Sequence, residues 1–285
     1  MSLLAPRSLL LILIETIEGF IFHRGFRSAS DIAVSGFIAF FPFLIFVASL
    51  SHFLRSPSLF AVAERSMFIL WPTEIARPLV EESSRVIDRL GGEAAAFSLL
   101  ISIWLTSNAL EAVRDAFDDA YEIVERRNWW QRRAESLMLV VMGAAFLLAL
   151  AWLVTFLTTV PEITIEPLAP RPISLAGPVQ SLSGLAIYLV ILIVCHRRLV
   201  HGGRRFMPIL PGVVLTLVFS GATAYGFAWW TSRIVNYQTT YGSLALALGT
   251  LALFVLLAAT VVLGAEFNAA IERVRNDEAK GPRLL

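Results

Sequence analysis

The stretch Tyr241–Asn268, YGSLALALGTLALFVLLAATVVLGAEFN, decides the fold. From Gly242 to Ala265 it carries no charged residue. A helix of that length spans about 36 Å at about 1.5 Å per residue, and the hydrocarbon core of a bilayer is about 30 Å thick. A soluble helix this long shows a polar face; this one shows none. It reads as a membrane-spanning helix with room for tilt. Tyr241-Gly242-Ser243 opens it as a tight outer turn, where Gly242 supplies a backbone conformation closed to other residues; a ligand contact is the alternative use. Glu266 and Asn268 close it.

Composition agrees. The chain is 57% hydrophobic and 16% charged, with mean hydropathy +0.72, whereas soluble domains carry roughly a quarter charged residues. No polar linker divides it, so 1–285 reads as a single membrane domain. A net charge of +1 supplies no basic field for nucleic acid. Cys195 stands alone, which rules out an intramolecular disulfide; in its apolar run it reads as a small hydrophobe.

Five further apolar runs precede the deciding one. They are Ile32–Leu54, Ala94–Leu110, Leu137–Val160, Pro178–Cys195 and Ile209–Ser232, and 242–265 is the sixth. Ser30-Asp31 is placed as an N-cap for the first. Pro42 lies inside that span, where it kinks the helix or frees a carbonyl. The second span is short and carries Ser98, Ser102, Thr106, Ser107 and Asn108. Pro178 and Pro211 sit at helix starts. Gly221 and Gly226, with Pro42, mark breaks or close helix crossings.

Arginine orients these spans. Arg7, Arg24 and Arg27 precede the first; Arg114, Arg126, Arg127, Arg132 and Arg133 separate the second and third; Arg197, Arg198, Arg204 and Arg205 separate the fourth and fifth; Arg273, Arg275, Lys280 and Arg283 follow the sixth. The other side has Arg171 and Arg233, plus five arginines between Arg55 and Arg89 that are balanced by nearby carboxylates. Six spans with both termini cytoplasmic satisfy this sorting. The N-terminal segment, with Leu10, Ile14, Ile17 and Ile21 on one stripe, reads as an interfacial helix, or alternatively as one buried against the bundle. The segment from Pro57 to Leu90, with Ile75, Leu79, Val86 and Leu90 on one face, reads as amphipathic helices on the periplasmic surface.

Four blocks carry a family resemblance: AFFPFLIFVASL in the first span, WLTSNALEAVRDAFDDAYEIVERRNWW leaving the second, MPILPGVVLTLVFS entering the fifth, and YGSLALAL through GAEFNAAI in the sixth. In order and spacing the chain resembles the YihY/BrkB family of bacterial inner-membrane proteins, formerly labelled ribonuclease BN. The resemblance covers about Asp31 to Arg273. It implies an all-α, six-helix fold with cytoplasmic termini and a role as a transporter or as an envelope or virulence factor. It brings no established activity.

The candidate sites are polar groups at span ends. Glu266 closes an apolar helix, and a carboxylate in hydrocarbon is costly. It either lines a cytoplasmic vestibule, paired with an arginine from the segment of Arg126 or Arg205, or ends the helix at headgroup level. Asn268, Asn108, Pro42, Tyr241, Gly242 and Ser243 complete the candidate transport-site residues. Glu111, Asp115, Asp118 and Asp119 recur at helical spacing after the second span. They form an acidic cytoplasmic face or a cation site; the plainer reading is a solvated face with internal pairs, Glu111 with Arg114 and Arg114 with Asp118.

Nuclease chemistry is not supported. The four histidines are scattered, and His196 and His201 are five apart, which does not place two ligands on one helical face. No cofactor and no catalytic residue is indicated. The leading expectation is a membrane transporter handling a lipid or similar amphiphile; the rival is a non-catalytic envelope scaffold that docks partners. Membrane lipids are the expected partners, nucleic acid is not, and the sequence leaves the oligomeric state open.

Overall fold

The computed structural model describes residues 6–53, 77, 81, 92–143, 176–200, 206–233 and 243–280. All regular structure among them is helical. The helices are α1 (Pro6–Phe22), α2 (Gly25–Phe53), α3 (Gly92–Ala120), α4 (residues 129–143), α5 (Ala176–Val194) continued by a π-helical turn (Cys195–Leu199), α6 (Phe206–Arg233) and α7 (Ser243–Lys280). Two of them contain segments long and apolar enough to cross a bilayer, Phe206–Thr231 and Ala247–Asp277. The expected surface helices between Pro57 and Leu90, and the third span beyond residue 143, lie outside the described residues.

α7 is the axis. It packs against α1, α2, α3 and α6. Its apolar half meets α2 through Phe254, whose ring stands edge-on to Phe37 and Phe40. Its far half continues past Ala265, where the apolar run ends, because small buried residues keep it packed. Ala269 and Ala270 are buried, and Ala270 and Val274 form a cluster with Ile12 of α1. Phe20, Ala116 and Val262 join α1, α3 and α7 in a second cluster. Phe117, Ala120, Leu199, Val200 and Ala265 join α3, the π turn and α7 in a third. Cys195 packs against this third cluster, as a small hydrophobe would.

Several boundaries differ from the sequence expectation. Ser30-Asp31 does not cap α2. The helix already begins at Gly25, and the Ser30 hydroxyl donates back to the Phe26 carbonyl at 2.8 Å. The chain turns one residue earlier, at Arg24, which adopts φ 56° and whose carbonyl accepts from Arg27 and Ser28. Pro42 does lie inside α2. α3 continues beyond the apolar run that ends at Leu110 to Ala120, as the helical spacing of the acidic block implies, and closes with Glu122 at φ 54°. There Glu122 N–H donates to Asp119 O and Ile123 N–H to Asp118 O, the Schellman pattern that satisfies terminal carbonyls.

α1 shows one face to the protein and one away from it. Ile12, Thr16 and Phe20 are buried, while the stripe Leu10, Ile14, Ile17 and Ile21 is exposed. The helix therefore packs on the bundle and leaves its apolar stripe unpartnered by the described residues.

Among the described residues the close helix crossing is not at Gly221 or Gly226, where an added Cβ meets no described atom within 4 Å and α6 is unbroken. It is at Gly212 and Gly264. A Cβ on Gly212 would overlap the Gly264 carbonyl oxygen, and one on Gly264 would overlap Thr216 Oγ1. Gly212, Thr216 and Ser220 on α6 face Thr260, Gly264 and Asn268 on α7, each set spaced by four. Ser220 Oγ lies 2.7 Å from Thr260 Oγ1, and the Tyr188 hydroxyl of α5 donates to Ser220 Oγ at 2.7 Å. Small residues let backbones approach, and hydroxyls bond across the gap. Gly212→Ala must push α6 away from α7, at a cost of about 1–3 kcal/mol. Thermal unfolding of the purified protein in mild detergent should show a clear drop in midpoint for Gly212→Ala and none for Gly221→Ala.

Candidate functional site around Glu266

Glu266 is fully buried. A carboxylate in that position needs partners, because desolvation of an unpaired charge costs several kcal/mol, on the order of a protein's whole stability. The turn that follows α1 supplies the first. His23 Nδ1–H donates to Glu266 Oε1 at 2.7 Å. Arg273, two turns along α7, places Nη2 3.5 Å from Oε2. Among the described residues the arginine partner is Arg273. Arg126 is exposed and Arg205 lies outside the described residues.

Two further features seal the carboxylate. Gly19 of α1 lies against it; a Cβ there would stand 2.5 Å from Oε2 and 3.0 Å from Arg273 Nη2. Arg273 is in turn held by Glu15 of α1 at 3.4 Å, Glu122 at 3.1 Å and the Ala120 carbonyl at 3.2 Å. A cation at the carbonyl end of α3 also complements the helix dipole. Glu15, Gly19 and His23 recur at intervals of four, and so share one face of α1. That face, closed over Glu266, is what the sequence reading missed, although the spacing was visible.

Asn268 lies one turn from Gly264 and is buried. Its Oδ1 accepts from Gly212 N–H at 2.7 Å, and its Nδ2 donates to the Ile209 carbonyl at 3.1 Å. Pro211 has no N–H, so the first turns of α6 are short of backbone bonds and the amide side chain ties them to α7. Asn268 is on the same helix as Glu266 but does not share its hydrogen bonds. Ser243 begins α7, and Tyr241 and Gly242 lie outside the described residues.

The acidic block forms a separate centre between α3 and α4. It is a solvated face only in part, with Asp115 exposed. Arg114 is fully buried and pairs with Glu111 at 3.1 Å and Glu135 at 3.5 Å, while donating to the Arg132 carbonyl. Arg132 spans Glu111 at 2.7 Å and Asp115 at 2.5 Å, and Ser136 donates to Glu111. Arg127 clasps Glu125 and Glu135, and the Glu125 hydrogen bond raises its pKa above the ordinary arginine value. Asp118 is buried and Asp119 exposed. Asn108 accepts from Arg133 at 2.7 Å, whose guanidinium lies 3.8 Å from the centre of the Trp104 ring. Burial lowers the Arg133 pKa, against the pull of Glu111. Of the pairs expected from sequence, Glu111–Arg114 is present, but the larger part of the network reaches across to α4. Arginine, rather than a gathering of ligands, neutralises these acids; among the described residues no three His, Cys, Asp or Glu side chains are grouped to hold a metal ion.

His196, in the π turn, is fully buried against Phe117, with ring centroids 4.8 Å apart. Its Nδ1–H donates to the Leu192 carbonyl at 3.0 Å, and Nε2 accepts no hydrogen bond. Burial therefore lowers its pKa to about 4.

A family model described as virulence factor BrkB matches residues 16–284. The chain belongs to the BrkB family. BrkB proteins are membrane proteins, in agreement with the apolar segments of α6 and α7. The chain is also 23% identical, over 91% of its length and 94% of the relative's, to a ribonuclease-like protein, YfkH, of Bacillus subtilis (strain 168). No solved structure matches.

Glu111→Met would leave the fully buried Arg114 guanidinium without its nearest carboxylate and should destabilise the protein by about 3–5 kcal/mol, whereas the exposed Asp119→Asn should change stability by less than about 0.5 kcal/mol. Thermal unfolding of both variants checks the contrast. The folded state holds His196 neutral, so unfolding takes up a proton between about pH 6.5 and about 4. Stability should accordingly fall as pH drops through that window, and His196→Gln should flatten the slope in a pH series of unfolding midpoints.

Proposed function

We propose that this BrkB protein is a six-span, multi-pass protein of the bacterial inner membrane, one domain over 1–285 with both termini cytoplasmic, and that it moves or presents a lipid or similar amphiphile rather than catalysing a reaction. The observation that carries the reading is Glu266. A fully buried carboxylate on the long apolar helix α7, held by His23 from the turn that follows α1, is expensive and marks function by default in a membrane protein. The exposed stripe Leu10, Ile14, Ile17 and Ile21 supports α1 as a helix lying at the membrane surface. The sorting of arginines supports the orientation.

YfkH carries a ribonuclease-like name. In this chain His23 is engaged by Glu266 and His196 by the Leu192 carbonyl, which leaves those imidazoles in structural bonds rather than facing a phosphodiester. The sequence has no nucleotide-binding P-loop, so the transport is passive, gradient-coupled or driven by a partner. The acidic block lends little to the docking alternative, since Glu111 and Asp115 are paired with Arg132.

The test is a flipping assay on the full chain in sealed liposomes containing a fluorescent phospholipid. The wild type should move the probe between leaflets, Glu266→Gln should slow it at least tenfold, and Asp119→Asn should not. Wild-type rates in Glu266→Gln would remove that carboxylate from the mechanism. No movement of any amphiphile that co-purifies with the protein would favour the scaffold.

A further inference from the structure

The arrangement around Glu266 has an unused capacity. Oε1 accepts from His23, but Oε2 accepts no hydrogen bond, although it is sealed from water. Arg273 stands off at 3.5 Å and is shared with Glu15 and Glu122. The groups facing the carboxylate are therefore His23 from the turn that follows α1 and Arg273 from α7, with Glu15 of α1 and Glu122 beyond α3 facing Arg273 in turn. Acids outnumber the fixed cation in this set, so one negative charge is poorly compensated. Gly19 of α1 lies so close to Oε2 that an added Cβ would stand 2.5 Å from it.

α1 is built to respond. It is joined to α2 through Arg24, a residue held at φ 56°, and His23 and Arg24 are followed by a new helix without a linker. Its grip on the bundle consists of Ile12, Thr16 and Phe20 together with the charged contacts of Glu15 and His23. Its other face is apolar and exposed, free to stay with the membrane if that grip loosens.

We propose that Glu266 is a proton-binding site that α1 covers, and that a proton taken up on Oε2 releases α1 from α7. The proton forms an O–H bond on Oε2. The carboxylate becomes neutral, Arg273 loses that attraction and keeps Glu15 and Glu122, and the charge-assisted bond from His23 becomes a weaker neutral one. The inference concerns the carboxylate of the transport reading and rests on it for the use of the proton, as a coupling ion.

Hydrogen exchange by mass spectrometry on the full chain in nanodiscs tests it, with rates corrected for the intrinsic pH dependence of exchange and referred to α6. In the wild type, α1 amides should lose protection several-fold between pH 8 and pH 5. Glu266→Gln should show the unprotected level at both pH values. His23→Gln, which keeps a donor to Oε1 and has no titrating ring, should keep the pH response; it also serves if Glu266→Gln fails to fold. A pH-independent wild type overturns the proposal. So does tighter protection on acidification, or loss of the response in His23→Gln, either of which places the proton on the imidazole. A wild type that shows the response but moves no lipid would sustain the proton site and remove the transport reading.

Discussion

Burying one carboxylate organises this end of the molecule. Glu266 sits on a helix that is otherwise apolar for most of its length, and every nearby feature follows from stabilising it. α1 must approach closely, so Gly19 faces it. A donor must reach Oε1, so His23 stands at the end of α1, just before the turn at Arg24. A cation must sit within reach of Oε2 without being lost to solvent, so Arg273 is pinned by Glu15, Glu122 and the Ala120 carbonyl. These contacts join α1, α3 and α7 through one side chain. The apolar clusters of Phe20 with Val262 and Ile12 with Ala270 hold the same elements together without charge.

A second constraint lies along α7 toward its middle. The Gly212–Gly264 approach sets the distance between α6 and α7, and it has to be close because Asn268 reaches the α6 backbone at both Gly212 and Ile209. The hydroxyl series from Tyr188 through Ser220 to Thr260 adds α5 to the same seam. Where lipid replaces water, packing and such hydrogen bonds do the work that the hydrophobic effect does in soluble proteins. The arginine-rich network of α3 and α4 is a different solution, in which buried charge is offset by charge. Removing either partner there is costly, even though the intact network adds little net stability.

The sequence made the helices legible because long uncharged runs have few alternatives. It also singled out Glu266 and Asn268, since polar groups at the end of such a run are conspicuous. It did not reveal their partners. His23 lies 243 residues from Glu266 along the chain, and nothing local announces the pairing. Helix ends were legible only where composition changed at the same place. α7 outlasts its apolar run because Ala269, Ala270 and Val274 still have surfaces to pack on. α2 starts early because Arg24, rather than Ser30-Asp31, makes the turn. The acidic block was read as a surface because its i, i+3 spacing fits solvent-exposed pairs. The pairing of Glu111 and Asp115 depends instead on α4 folding back, with Arg132 reaching over to both and Arg133 to Asn108. Among the described residues the close crossing is at Gly212 and Gly264, and their spacing with Thr216 and Asn268 signals it.

α1 and α7 are coupled through the His23–Glu266 bond rather than merely adjacent. A double-mutant cycle measures that coupling directly. Unfolding free energies of the wild type, His23→Ala, Glu266→Gln and the double variant, taken in the same detergent at one pH, should show a non-additive term of about 0.5–3 kcal/mol, the range for residues in direct contact. Additivity within about 0.3 kcal/mol, the scatter expected of independent sites, would contradict the account and leave the two side chains as neighbours without a shared role.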